Sequence, residues 1–160
     1  MVSVDMGWSE NDAMIVIVED QRSDAKLIKR ALIKAQVDAP IELFEEGETA
    51  FAFVKDRWDA ASAAGRSGVR PILILLDLKL PGISGFEILE RLKGAGTHRR
   101  IPVVVFTSSG ELEDVERAYE LGANGYIVKP LDIQGYDQVA MQLKSYWLKQ
   151  NVPPPAPMLA

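Results

Sequence analysis

The chain has 160 residues and no cysteine, and its 18 Lys and Arg residues against 23 Asp and Glu residues give a net charge of −5. This length favours one domain with a real hydrophobic core, and the missing cysteine excludes disulfides, thiolate metal sites and cysteine nucleophiles. The acidic balance and the lack of a Lys/Arg-rich cluster argue against a nucleic-acid surface.

The first thirteen residues, MVSVDMGWSENDA, have neither a basic start nor a long apolar core. They do not resemble a signal peptide, and we assign residues 1–13 to an N-terminal extension. No apolar run in the chain approaches the ~20 residues that a membrane-spanning helix needs. The sequence therefore predicts a cytoplasmic protein with no membrane segment.

Five short apolar runs predict β-strands. Several are continuous rather than alternating, which is typical of strands buried on both faces of a parallel sheet. The runs are MIVIV (14–18), IELF (41–44), ILILL (72–76), PVVVF (102–106) and GYIV (125–128).

The segments between these runs have the apolar spacing of helices, and the fourth owes its apolar face to Leu112, Val115 and Tyr119. Strand and helix alternate five times, which predicts a doubly wound α/β fold with a five-stranded parallel sheet in the order 2-1-3-4-5. The folded domain is predicted over residues 14–149. Residues 150–160 contain NVPPPAP, which can continue neither helix nor sheet, and we assign them to a proline-rich C-terminal tail.

Polar side chains follow four of the predicted strands. Glu19 and Asp20 follow the first strand, Asp77 the third, Thr107 the fourth and Lys129 the fifth. Because the carboxyl ends of parallel strands lie at one edge of an open sheet, where ligands bind, we expect these five side chains to lie close together.

Three neighbouring carboxylates repel one another, and Lys129 offsets one charge, which leaves about two to be neutralised. Oxygen ligands without His or Cys favour a hard divalent cation, and Mg²⁺ is the cation expected here. Such a site suits phosphoryl transfer, in which a carboxylate oxygen attacks while Thr107 and Lys129 contact the phosphoryl oxygens.

Each of these residues also has an ordinary structural interpretation. An acid after a strand is often a helix cap, Thr107 could cap the next helix, and Lys129 could be a surface lysine. Pro81 and Gly82 separate Asp77 from the next helix, which weakens the cap interpretation. The coincidence of all these groups at the same end of four strands favours a functional site.

Taken together, LLDLKLPGISGFEIL, the acidic pair in VED, VVFTSS and GANGYIVKP resemble the receiver domain of two-component response regulators, over roughly residues 14–149. The resemblance implies that Asp77 accepts a phosphoryl group from a sensor histidine kinase in a Mg²⁺-dependent reaction. It also implies that Asp20, Asp77 and the backbone carbonyl of Lys79 bind Mg²⁺, with Glu19 acting through water.

The resemblance further implies that Thr107 and Lys129 contact the phosphoryl group and that Lys129–Pro130 is a cis peptide. Phosphorylation would shift Thr107 and turn Tyr126 inward, although the residues alone favour a core role for Tyr126. The expected result is a remodelled face formed by the fourth and fifth helices. That face would act on a downstream protein target or a histidine phosphotransfer protein.

A narrower resemblance rests on the segment before the central strand, the Glu-Asp pair and the ending YWLKQNVPPP. These features are similar to small response regulators that partner bacterial phytochrome-type histidine kinases. No output domain follows Lys149, which predicts a stand-alone receiver. Met141 and Leu148 lie off the apolar stripe of the last helix and, with Tyr146, predict a self-association face for a homodimer.

Two other functions stay open. A phosphatase of the haloacid-dehalogenase type also has an aspartate after a strand, but it needs a second aspartate two residues later, where this chain has Lys79. A degenerate receiver would bind partners without phosphorylation, and the intact set of key side chains argues against it. We therefore expect a signalling switch rather than an enzyme. The only chemistry of this switch would be its own phosphotransfer and dephosphorylation.

Overall fold

The computed structural model describes residues 10–64 and 68–157. These residues form one parallel sheet with the hydrogen-bonded strand order β2-β1-β3-β4-β5. The order and the strand positions confirm the fold predicted from the sequence. The strands are Ala13–Val18 (β1), Ile41–Phe44 (β2), Arg70–Leu76 (β3), Val103–Thr107 (β4) and Gly125–Val128 (β5).

Five α-helices alternate with the strands in the described part of the chain. They are Arg22–Lys34 (α1), Gly47–Ala63 (α2), Gly85–Lys93 (α3), Leu112–Glu120 (α4) and Ile133–Leu143 (α5). Short 3₁₀ turns span Glu10–Asp12 and Thr97–Arg100, and a π-helical turn, Lys144–Gln150, follows α5. None of the helices among the described residues has both the length and the apolar character that crossing a bilayer requires.

The central strands are buried on both faces because the helices form two layers. Alternate side chains of β1 belong to different halves of the core: Ile15 and Ile17 pack with α1 and α5, whereas Val16 and Val18 pack with α2 and α3. This division explains why the strand sequence is continuously apolar, since a strand with helices on both sides has no solvent face.

The fourth helix departs from the prediction. Its predicted apolar face is largely exposed, with Leu112 70% and Tyr119 50% accessible, and only Ala118 of α4 is fully buried. The helix lies beside the outer strand β5, whose residues are themselves only partly buried or exposed. An outer strand offers less apolar surface than a central one, so α4 packs through its small alanine.

The end of the last helix also differs. Leu148 is only 4% exposed and packs in the same cluster as Leu143, so its assignment to a self-association face is wrong. The change to a π-helical turn explains the error, because its hydrogen bonds join residues five apart, and the wider turn brings Leu148 to the side of Leu143. Met141 and Tyr146 are exposed, at 64% and 52%.

The segment after this turn packs against the domain. Pro153 and Ala156 are buried, and Ala156 lies in the core cluster of Trp58 and Ile101, on the opposite face of the sheet from Leu148. Residues 151–157 therefore cross from one face of the sheet to the other. The predicted extension and tail fall partly outside the described residues, since residues 1–9 and 158–160 are not among them, nor are residues 65–67 before β3.

Candidate functional site

Backbone hydrogen bonds continue one residue beyond the strands at the carboxyl edge of the sheet. The Asp77 N–H donates to the Val18 carbonyl of β1 at 3.0 Å, and the Lys129 N–H donates to the Thr107 carbonyl of β4 at 2.7 Å. These bonds hold the first residue after β3 and the first after β5 beside their neighbouring strands. The register of the sheet thus brings together residues that lie far apart in sequence.

The connection from β3 to α3 lies tightly against Asp77. The Lys79 N–H donates to Asp77 Oδ1 at 3.3 Å. A side chain on Gly85 would place its Cβ 2.1 Å from the Asp77 carbonyl oxygen, so only glycine allows α3 to begin this close to the end of β3. The backbone therefore holds the Asp77 carboxylate at the edge of the sheet.

The Lys129 ammonium group joins the carboxylates of this edge. Its Nζ lies 2.9 Å from Asp77 Oδ2 and 2.9 Å from Asp24 Oδ2, and it forms a further ion pair with Glu19 Oε1. The Lys129 side chain is only 7% exposed. A buried ammonium group with three carboxylate partners is fully neutralised, whereas the carboxylates share a single cation.

The pKa values of Glu19, Asp77 and Lys129 are shifted by burial and by their interactions with one another. Burial raises the pKa of Glu19 to about 8, and the hydrogen bond to Asp77 adds to the rise. Burial opposes the charged form of Asp77, but hydrogen bonds with Glu19 and Lys129 outweigh it and hold its pKa below the usual value. Burial also opposes the charge of Lys129, and its carboxylate partners outweigh that effect and raise its pKa.

The residues present fit a divalent cation. Oxygen atoms of Glu19, Asp20 and Asp77 all lie within 4.8 Å of one another. Asp20 Oδ1 is buried and has no hydrogen-bond partner, which is costly for a carboxylate oxygen unless a cation contacts it. The predicted contribution of the Lys79 carbonyl stays a prediction.

Two further predicted residues lie on the next strands of the sheet, β4 and β5. Thr107 at the end of β4 is completely buried, and its Oγ1 has no hydrogen-bond partner. The half-buried Tyr126 donates its hydroxyl to the Ser109 carbonyl at 2.8 Å, and the Ser109 hydroxyl donates to Asp114 at 2.5 Å. Tyr126 is therefore tied to the β4–α4 loop rather than enclosed in the core.

One backbone prediction is wrong. The described residues contain no cis peptide bond, so the Lys129–Pro130 bond is trans. The trans form is favoured by about 0.5–1 kcal/mol even before proline. With this isomer, Lys129 still makes its backbone hydrogen bond to Thr107 and all of its ion pairs.

Asp24 is the site residue that the sequence analysis missed. It lies in the first turn of α1, four residues after Asp20, and does not directly follow a strand as the predicted site residues do. The available signal was its position, because the helix that follows β1 begins at the carboxyl edge and an acid in its first turn is within reach of the site.

Comparison with known proteins decides the family. The response regulator receiver domain matches residues 15–139. The chain belongs to this family. Receiver domains are components of two-component signalling, and the fold and acidic cluster agree with that membership.

Three relatives illustrate the similarity. The chain is 35% identical to the probable methanogenesis regulatory protein FilR2 of Methanothrix harundinacea over 152 residues, which is 95% of this chain and 94% of FilR2. It is 33% identical to the response regulator Rcp1 of Synechocystis over 143 residues, covering 89% of this chain and 94% of Rcp1, and a structure of Rcp1 is its Mn²⁺-bound form. The phosphorylated cyanobacterial phytochrome response regulator RcpA matches with a TM-score of 0.76 and 33% identity, covering 88% of this chain and 97% of RcpA.

Proposed function

We propose that this protein is a single-domain response regulator in which Asp77 accepts a phosphoryl group from the phosphohistidine of a sensor histidine kinase. The observation that carries the proposal is the position of the Asp77 carboxylate. It forms an ion pair with the buried Lys129 and lies beside Glu19 and Asp20. Membership of the receiver family and the likeness to the phosphorylated RcpA support it.

In the proposed reaction, an Asp77 carboxylate oxygen attacks the phosphorus atom. The P–N bond to the kinase histidine breaks, a P–O bond forms, and the imidazole leaves with a proton from water. Lys129 stabilises the negative charge on the phosphoryl oxygens, and the Thr107 hydroxyl donates a hydrogen bond to one of them.

Mg²⁺ is the proposed cofactor. Asp20, Asp77 and the Lys79 carbonyl would hold it, with Glu19 acting through water, and it would supply positive charge next to the transferring group. The buried Asp20 oxygen without a partner supports this assignment, as does the Mn²⁺-bound form of the related Rcp1.

The proposed partner is a histidine kinase of the phytochrome type, located with this protein in the cytoplasm. The support is the similarity to RcpA, a phytochrome response regulator, and to the relative Rcp1, of similar length. The proposal assigns no nucleic-acid or membrane partner to this acidic chain.

Phosphorylation is proposed to act on a protein-binding face through Thr107 and Tyr126. In the described structure the Tyr126 hydroxyl holds the β4–α4 loop by its bond to Ser109, so a turn of this ring would release that loop. Nearby apolar side chains are exposed and could change their packing. They are Leu112, Tyr119, Val128, Leu131 and Ile133. A downstream protein target or a histidine phosphotransfer protein would bind this face.

Self-association is the remaining part of the proposal, now limited to Met141 and Tyr146. Both side chains are exposed on the last helical segments. Size-exclusion chromatography with light scattering of Met141→Lys tests it: the homodimer proposal requires a lower mass than wild type. An equal mass for the two proteins would remove this face from consideration.

Intact mass spectrometry after incubation with acetyl phosphate and Mg²⁺ tests the central proposal. We expect one phosphoryl adduct on wild type, none on Asp77→Asn, and none when EDTA removes the cation. Asp137→Asn is the matched control, because it makes the same chemical change in a carboxylate that pairs with Lys34 in the groove between α1 and α5, outside the acidic group.

Asp137→Asn should be modified like wild type. If wild type stays unmodified with acetyl phosphate and also with the phosphorylated cognate kinase, the proposal fails and a degenerate receiver is the better interpretation.

A further inference from the structure

Asp24 contacts the site without belonging to the acidic group that fits a cation. Among the described residues, the carboxylates whose oxygens lie within 4.8 Å of one another are Glu19, Asp20 and Asp77. Asp24 is outside this group, yet its Oδ2 lies 2.9 Å from Lys129 Nζ. Lys129 therefore connects the acidic group to α1.

The Asp24 carboxylate is more accessible than its partners. Its side chain is 30% exposed, compared with 4% for Glu19 and 5% for Asp77. Breaking an ion pair costs less free energy when the carboxylate left behind is partly hydrated than when it is buried. Of the three partners of Lys129, Asp24 is thus the one that can release the ammonium group at least cost.

An acid in the first turn of a helix also has a simpler explanation, because it interacts favourably with the helix dipole. That interaction needs only the position of Asp24 in the first turn of α1. It does not need a contact with a nearly buried ammonium group 105 residues away in sequence. The contact with Lys129 is an additional feature, and an experiment can separate it from the dipole.

We propose that Asp24 is a positioning residue that holds the Lys129 ammonium group toward α1 and competes for it with the phosphoryl group on Asp77. The inference rests on the proposed function, since it needs Asp77 as the phosphoacceptor. Asp24 would have opposite effects on the two ligands of the site. The ion pair of Asp24 with Lys129 weakens the ion pairs that Glu19 and Asp77 make with Lys129, which favours Mg²⁺ binding to these acids. The same ion pair keeps the Lys129 ammonium group away from the phosphoryl group.

Isothermal titration calorimetry of Asp24→Asn tests this competition at equilibrium. The first probe is Mg²⁺ alone, and the second is beryllofluoride, an unreactive mimic of the phosphoryl group, at saturating Mg²⁺. We expect the Kd for Mg²⁺ to rise about fivefold and the Kd for beryllofluoride to fall by a similar factor, as one partly screened charge a few ångström away would give. Asp24→Glu keeps the charge and should lie closer to wild type for both ligands.

A double-variant cycle with Lys129→Gln separates positioning from a long-range charge effect. If Asp24 acts through Lys129, the change in Mg²⁺ affinity caused by Asp24→Asn shrinks to less than half in the Lys129→Gln background. Equal changes in the two backgrounds would mean that Asp24 acts by its charge alone and would overturn the proposal. Asp137→Asn is again the control and should bind both ligands like wild type.

The outcomes distinguish the two proposals. If wild type binds neither Mg²⁺ nor beryllofluoride, the proposed function itself fails. If wild type binds both and Asp24→Asn binds both more weakly, or both unchanged, the proposed function stands. The positioning role of Asp24 is then wrong, because loss of helix stability or loss of an irrelevant ion pair explains those results.

Discussion

The two edges of the sheet each hold a lysine that is partly or wholly withdrawn from water. At the carboxyl edge, Lys129 is bound by three carboxylates, which raise its pKa. At the amino edge, Lys93 at the end of α3 donates to the backbone carbonyls of Arg99 and Ile101, at 3.1 and 2.7 Å. Burial lowers the pKa of Lys93 to about 8.

The difference lies in the partners of each ammonium group. Carbonyl dipoles satisfy the N–H bonds of Lys93 but carry no net charge, so the desolvation cost of the ammonium group is not recovered. The carboxylates around Lys129 recover it and leave negative charge in excess. One edge therefore uses a lysine to close a loop, and the other uses a lysine to hold acids together at a site with unsatisfied oxygens.

The largest expected effect is the loss of Lys129. Lys129→Met should lower the free energy of unfolding by about 3 kcal/mol at neutral pH in EDTA, because it leaves buried carboxylates without their cation. Mg²⁺ should recover part of the loss, since it supplies positive charge to the same acids. Urea denaturation with and without Mg²⁺ measures both effects.

The control for this comparison is Lys34→Met, which breaks an ion pair whose lysine is 69% exposed. We expect a change within about 0.5 kcal/mol. A Lys129→Met protein as stable as wild type in EDTA would show that the buried carboxylates do not need the Lys129 charge. That result would contradict the difference described between Lys129 and Lys93.

The next effect concerns residues 151–157, the segment that crosses from one face of the sheet to the other. Deleting residues 152–160 removes the buried Pro153 and Ala156 and should cost about 2 kcal/mol of unfolding free energy. Ala156→Asp in the full chain should reproduce most of the loss, because it places a charge in the cluster of Trp58.

Both proteins should still be phosphorylated by acetyl phosphate at temperatures where they are folded, because Asp77, the proposed acceptor, lies at the other edge. Loss of the adduct in a folded truncated protein would contradict this separation of the two edges. Circular dichroism and intact mass spectrometry provide the two measurements.

A smaller effect is the pH dependence that Lys93 contributes. Its folded pKa of about 8 lies below the usual 10.5, so between these values the unfolded chain binds more protons than the folded protein. The unfolding free energy of wild type should therefore rise relative to Lys93→Met as pH increases from 8 to 10. We expect about 1 kcal/mol, because the side chain is only partly buried.

Urea denaturation at several pH values measures this difference, with Lys55→Met as the control because Lys55 forms an exposed pair with Asp59. The control should show no such trend against wild type. A flat difference between wild type and Lys93→Met would mean that Lys93 keeps an ordinary pKa in the folded protein.

The smallest expected effect is that of Tyr126→Phe. It removes the hydroxyl that holds the β4–α4 loop through Ser109, and a single partly buried hydrogen bond of this kind contributes about 1 kcal/mol. We expect unchanged phosphorylation and faster amide hydrogen exchange in residues 108–111, measured by mass spectrometry. Unchanged exchange would show that this bond does not order the loop.

Much of the site could be predicted because the end of an apolar run shows where a strand ends. A continuous apolar run before Asp77, and similar runs before Thr107 and Lys129, predicted parallel strands whose carboxyl ends meet at one edge. The structure brings Lys129 into contact with Glu19 and Asp77 as expected. Asp24 escaped this reasoning because it approaches the site from a helix, and which turn of a helix reaches a lysine depends on how the helix packs.

The sequence by itself determined the α/β class, the strand positions and the acids and lysine that follow the strands, because these depend on local periodicity. The tertiary structure alone decided that Leu148 is buried, that Ala156 lies in the core and that Asp24 holds Lys129. Each of these contacts joins elements that are distant in sequence. Their formation depends on the phase of a π-helical turn, the route of a chain segment or the placement of a helix, none of which a local pattern specifies.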